Sequence, residues 1–143
     1  MSSEKLYSEL FDEFEKLTTK QDRINFLHRE GDERFRFFLQ LVFNPAIEYD
    51  IVLPDRYRPA KEPAGLNYAY LDTQMPKMYR FIKNHPMRPE GFTAEKTTQQ
   101  ILVMVESLHR DEAAIILEVF QKKFKVKNLT ANLVKEAFPD LII

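Results

Sequence analysis

Glycine occupies only three of 143 positions, 31, 65 and 91, while apolar residues recur at steps of three and four on both sides of a proline-rich middle. A chain with so few permissive turn residues and a 3.6-residue apolar period predicts an all-α fold: a multi-helix domain of about seven helices with an extended proline-rich segment at about 45–71. The length suits one domain, residues 1–143. With 44% hydrophobic residues, twelve Phe and six Tyr, its core should rest on aromatic packing.

Leu6, Leu10, Phe14 and Leu17 form a stripe on a first helix at about 3–17, whose other face, with Asp12, Glu13 and Glu15, is acidic and solvated. Thr18 and Gln21 stand in capping-box spacing before a short second helix, with Ile24 and Leu27 inward and Gly31 as its stop. Asp32 can cap a third, in which Phe35, Phe38, Leu39, Val42 and Phe43 make one face and Phe37 and Leu41 widen it. Asn44-Pro45 ends that helix, and prolines at 45, 54, 59 and 63 forbid a regular helix in the segment after it. That segment is expected to wrap over the helices, with a strand-like piece at 51–53.

"DTQMPKMYRFIKNHP" reads as a fourth helix, with Pro76 in its first turn, Pro86 closing it, and Met75, Met78, Tyr79 and Ile82 facing the core. Gly91 and Thr93 open a fifth, burying Ile101, Leu102, Val105 and Leu108. Arg110-Asp111 breaks and recaps the chain before "EAAIILEVFQKKFKV", with Ile116, Leu117, Phe120 and Phe124 in phase, and Ala131–Phe138 makes a last two-turn helix.

Several chemistries find no support. Without cysteine there are no disulfides, thiolate metal sites or Cys nucleophiles, which suits a reducing cytoplasm. The acidic amino terminus lacks a secretory pattern, and no stretch approaches 18 uninterrupted apolar residues, so neither export nor a membrane partner is expected. His28, His85 and His109 are far apart and read as surface or helix-end residues. No phosphate loop, dinucleotide fingerprint or nucleophile elbow occurs. The clustered carboxylates of the first helix, and Asp111 with Glu112, suit a solvated face and an N-terminal cap. The expectation is therefore a non-enzyme with no catalytic residues, cofactor, metal or small-molecule substrate.

Net charge is −1, spread as −4 over residues 1–50, +3 over 51–90 and 0 over 91–143. Non-specific nucleic-acid binders usually carry a basic surplus, so charge alone disfavours that class while permitting a local patch.

Such a patch lies in "KKFKVKNLTANLVKEAFPDLI", residues 122–142. Asn128 can take a left-handed conformation just past the sixth helix, which makes Phe124 and Leu129 the contact pair of a Schellman ending. Leu129 then precedes Thr130, a cap for the amide of Asn132 or Leu133, with Val134 at the staple position. Amides of such a turn beside Lys122, Lys123, Lys125 and Lys127 suit a phosphate. Lysines at a helix C-terminus are explained by the helix dipole alone, and these residues by themselves favour that reading while leaving phosphate binding open.

The order of the pieces resembles the amino-terminal, all-helical DNA-binding domain of ATP-dependent DNA ligases of the tailed-phage type. The resemblance runs through "LTTKQDRINFL", "FRFFLQLVFNPAIEYDIVLPDRYRP", "LDTQMPKMYRFIKN" and "EVFQKKFKVKNLTANLVKEAFPDLI", spanning about residues 10–142. In those ligases the last segment has an Arg-Asp-Leu helix end, a Cys-Gly turn, a Ser cap and a Trp-Pro-Gly-Leu-Ile close. Here Lys123, Phe124 and Lys125, then Lys127 and Asn128, then Thr130, then Phe138 to Ile142 stand at those places. The turn glycine is replaced by Asn128, and no K-x-D-G adenylation motif occurs, so a stand-alone module without nick sealing is expected.

The resemblance implies a phage origin, a host-cell cytoplasm, and a non-catalytic, non-specific duplex-DNA-binding module. Phosphates would meet Lys122, Lys123, Lys125, Lys127, Asn128, Thr130 and Lys135, with Arg56, Arg58 and Lys61 as a second contact. The alternative is a protein-interaction module on the same scaffold, binding a phage or host replication or transcription protein. Near-zero charge and the aromatics Tyr57, Tyr68 and Tyr70 motivate it.

Overall fold

The computed structural model describes residues 6–59, 61 and 69–143. Among them the regular structure is helical: α1 (Tyr7–Glu15), α2 (Lys20–Glu30), α3 (Glu33–Phe43), α4 (Leu71–Gln74), a 3₁₀ helix (Met75–Phe81), α5 (Ala94–Ser107), α6 (Arg110–Phe120) and α7 (Ala131–Ala137). Two isolated bridges, Tyr49 with Ile82 and Ala69 with Leu108, are the β pairing found among the described residues. The fold is all-α.

Local side-chain caps set the starts of α2, α3, α6 and α7. Asp32 Oδ1 accepts from the Phe35 amide at 2.9 Å, the cap the sequence predicts. At α2 the cap is Thr19, whose hydroxyl accepts from the Asp22 amide at 3.1 Å. The expected Thr18–Gln21 pair is thus displaced by one residue, and Gln21 bonds Asn25 instead. At α6 the cap is His109, whose Nδ1 accepts from the Asp111 amide at 3.1 Å, rather than the Arg110-Asp111 pair itself.

The expected fourth helix divides. Pro76 has no amide hydrogen to give the Asp72 carbonyl and its ring crowds that group. The Met75 amide bonds Asp72 one residue short of α spacing, and the chain tightens into the 3₁₀ helix. With three residues per turn, Met75, Met78 and Phe81 line up and are buried. Phe81, not Tyr79, therefore joins Ile82 in the core.

Every helix contributes to one hydrophobic cluster. Its aromatic centre is Phe38, fully buried and in ring contact with Tyr7, Phe11, Phe35 and Phe124; truncating such a side chain to Ala typically costs about 3–5 kcal/mol. On α1 the buried face is broader than the stripe, because Tyr7 and Phe11 are buried beside Leu10 and Phe14. On α5 Met104 is buried where Leu102 is only half-buried, and on α2 Phe26 joins Leu27. α1 begins at Tyr7, after Leu6 in extended conformation, and ends at Glu15, so it is shorter than the expected 3–17; residues 3–5 lie outside the described residues.

The extended segment does lie over the helices, but 51–53 is not a strand. The Val52 amide donates to Thr97 Oγ1 at 3.1 Å, and Thr98 Oγ1 donates to the Val52 carbonyl at 2.6 Å. Hydroxyls of α5 thus satisfy backbone groups that a sheet would otherwise pair. Gly31 ends α2 for a spatial reason: a Cβ there would meet the Leu27 carbonyl oxygen and the Phe138 ring at 2.5 Å.

Candidate nucleic-acid interface

The sixth helix stops at Phe120, earlier than its apolar spacing predicts, and the Schellman ending falls at Lys122 rather than Asn128. Lys122 has φ +59, its amide bonds the Val119 carbonyl at 3.0 Å, and the Lys123 amide bonds the Glu118 carbonyl at 2.9 Å. Asn128 is left-handed as well, at φ +67, in a turn closed by the Leu129 amide on the Val126 carbonyl at 3.0 Å. Phe124 is therefore not a helix residue. Leu129 is buried and Thr130 caps α7 through the Leu133 amide at 3.1 Å, as expected.

The stretch between the two left-handed residues has a period of two. Phe124 packs against the Phe11 and Phe38 rings and Val126 is buried, while Lys123, Lys125 and Lys127 are exposed. Lys123 and Lys125 flank Phe124 in irregular backbone, and Lys127 stands in the turn that opens at Val126. Phe124 and Val126 anchor the stretch and leave its three lysines exposed to water.

The remaining predicted contacts are less concentrated. Lys122 is exposed but its Nζ donates to the Ile47 carbonyl at 2.8 Å. Asn128, Thr130 and Lys135 are exposed, with the Thr130 hydroxyl committed to its cap. The Lys127 amide donates to Glu15 Oε2 at 2.9 Å, so a carboxylate of α1 occupies the turn donor assigned to a phosphate. Arg56, Arg58 and Lys61 are exposed as well. The Arg58 amide is tied to Glu106 Oε2 near the end of α5 at 2.8 Å, while Val52 is tied to the start of α5 and Ile47 to Lys122. The two basic groups thus sit at opposite ends of the segment that lies along α5. Tyr57 and Tyr70 are half-buried, and Tyr68 lies outside the described residues.

Glu112, expected on a solvated helix start, is fully buried. It accepts from the amides of Tyr7 at 2.6 Å and Leu71 at 2.8 Å. Burial pushes its carboxyl up to about 7, against the downward pull of those two amides. Asp72, also fully buried, accepts from the Tyr7 hydroxyl at 2.7 Å and lies 3.5 Å from Arg34 Nη1. Burial, then the bond to Asp72, raises the Tyr7 phenol. No sequence signal marks this network, because its members become neighbours only through the packing of four separate elements. Two acids whose oxygens are held by amides, a phenol and a guanidinium fasten helices together.

Among the described residues no group of His, Asp and Glu is arranged to hold a metal, and no helix is long and apolar enough to cross a membrane. Comparison of the chain with protein-family models, curated proteins and solved structures gave no match.

Proposed function

We propose that the chain is a non-catalytic module that contacts duplex DNA non-specifically through its phosphates, with Lys123, Lys125 and Lys127 as the primary contact. The observation that carries this reading is their alternation with Phe124 and Val126, which leaves three lysines exposed on a short stretch anchored to the core. Such point charges match a charged backbone and carry no base-reading geometry. The resemblance to phage-type ligase DNA-binding domains covers the same stretch.

Fluorescence anisotropy with labelled duplex at about 50 mM salt tests it. Binding with a log–log salt slope of about −3, abolished by exchanging all three lysines for Glu, is the expected result. Absence of binding by the unaltered chain, or equal binding by the triple variant, would falsify it.

A second reading, an interaction module for a phage or host replication or transcription protein, is favoured by the net charge of −1 and by the exposed acidic side chains Asp12 and Glu13 on α1, which suit a protein surface better than a phosphate backbone. Loss of a cross-linked protein partner on exchanging Asp12 and Glu13 for Lys, with DNA binding intact, would select this reading over the first.

A further inference from the structure

A cleft of about 530 Å³ opens between α3, the 3₁₀ helix, the loop at His85 and the C-terminal segment at Leu141. Its volume is that of a pocket for a small organic molecule. Its lining mixes the apolar side chains of Phe37 and Leu141 with the donors Arg34, Arg36, Tyr79 and His85.

The donors are held from behind. Arg34 rests against buried Asp72, itself fixed by the Tyr7 hydroxyl, so one edge of the guanidinium is committed to the protein and the other N–H groups remain for a ligand. Arg36 has no carboxylate partner among the described residues and its guanidinium stands 5.9 Å from the Phe138 ring centre. His85 Nδ1 accepts from the Met87 amide at 3.0 Å, which makes Nε2 the N–H of the neutral ring. The Tyr79 ring lies 5.6 Å from that imidazole. The carboxylate among the lining residues is that of Glu33, which is exposed to water.

We propose that this cleft binds a small organic oxyanion, a carboxylate or phosphate monoester on a flat apolar body. Arg34, Arg36 and His85 take the anion, and Phe37 and Leu141 take the body. Planar guanidiniums match both oxyanions by paired hydrogen bonds, and an apolar wall distinguishes an organic anion from a bare inorganic one. The site shares no residue with the lysine strip and stands or falls independently of DNA binding.

Titrations of the full chain with phenyl phosphate, benzoate, benzamide and inorganic phosphate, followed by NMR of the arginine Nε–H and histidine ring signals, test the proposal. Phenyl phosphate or benzoate should give saturable shifts at Arg34, Arg36 and His85 with a Kd of about 1 mM or tighter. Benzamide and inorganic phosphate should bind at least about tenfold more weakly. The stronger of the two aromatic anions identifies the headgroup. Arg34→Gln leaves Asp72 buried without its cation and endangers folding, so the variants to use are the peripheral Arg36→Gln and His85→Gln, each expected to weaken binding about tenfold. No saturable shift with either aromatic anion, equal binding of benzamide, or unchanged affinity in both variants would overturn the proposal. The triple lysine-to-Glu variant should retain the site in full.

Discussion

The backbone amide of Tyr7 donates to Glu112 at 2.6 Å, so the first turn of α1 is held by an acid in the first turn of α6. A helix start leaves amides without internal partners and favours negative charge. Glu112 meets that need from another helix and binds Leu71 with its second oxygen.

This buried carboxyl gives stability a specific pH dependence. Its folded pKa of about 7 lies above the ordinary 4.5, so between those values the folded chain holds a proton that the unfolded chain releases. The contribution of Glu112 is greatest below about pH 4.5, declines as pH rises toward 7, and is level above that. Urea unfolding at pH 5 and pH 7.5 should show the unaltered chain losing about 2 kcal/mol relative to Glu112→Gln across the interval. A difference between the two proteins that does not change with pH would refute this.

Tyr7→Phe should cost about 1–3 kcal/mol in the same assay at fixed pH. The ring and its contacts with Phe35 and Phe38 remain, while buried Asp72 loses its hydrogen bond from Tyr7 and, among the described residues, keeps Arg34 at 3.5 Å. Near-UV circular dichroism should retain the native aromatic signal, separating a lost hydrogen bond from lost packing. Unchanged stability would mean that water or another donor replaces the hydroxyl.

Lys122→Gly should stabilise the chain by about 0.5–1 kcal/mol. A left-handed non-glycine residue costs roughly 1–2 kcal/mol, of which glycine's greater chain entropy returns about half. The bond from Lys122 to Ile47 is exposed and adds little. Thermal unfolding should show a rise of a few degrees for Lys122→Gly and a fall for Lys122→Val; the reverse order would contradict the left-handed assignment.

Glu15→Gln should raise duplex-DNA affinity a few-fold at low salt, because it removes a negative charge beside Lys127. Anisotropy titrations at two salt concentrations check this, and the gain should shrink as salt rises. A weaker complex would indicate that Glu15 supports the strip more by fixing its backbone than it opposes it by charge.

Features written in a few neighbouring residues were legible in the sequence: the Asp32 cap, the Thr130 cap, left-handed Asn128 and the proline breaks. Features decided by competition between neighbours were displaced. Thr19 rather than Thr18 starts α2, and Pro76 converted a 3.6-residue period into one of three. The lysine strip kept its exposed charges but changed its geometry, because α6 stops at Phe120 with left-handed Lys122 in the place ordinarily taken by glycine. Glu112 and Asp72 carried no local sign of burial, since polar residues at helix starts ordinarily face water. The cleft was likewise invisible, its walls being drawn from four parts of the chain.

The chain also joins its ends. α1 is held by α6 through Tyr7 and Glu112, 105 residues apart, and α2 by α7, where the Ala137 carbonyl lies 2.7 Å from His28 Nε2 across 109 residues. Phe138 fills the space that Gly31 leaves empty. A helical protein with such distant pairings must close long loops before those contacts reward it. Its helices form in microseconds, but their docking is set by chain closure, so folding should be slow for an all-α chain of this length and should wait until α7 is available to cover α2.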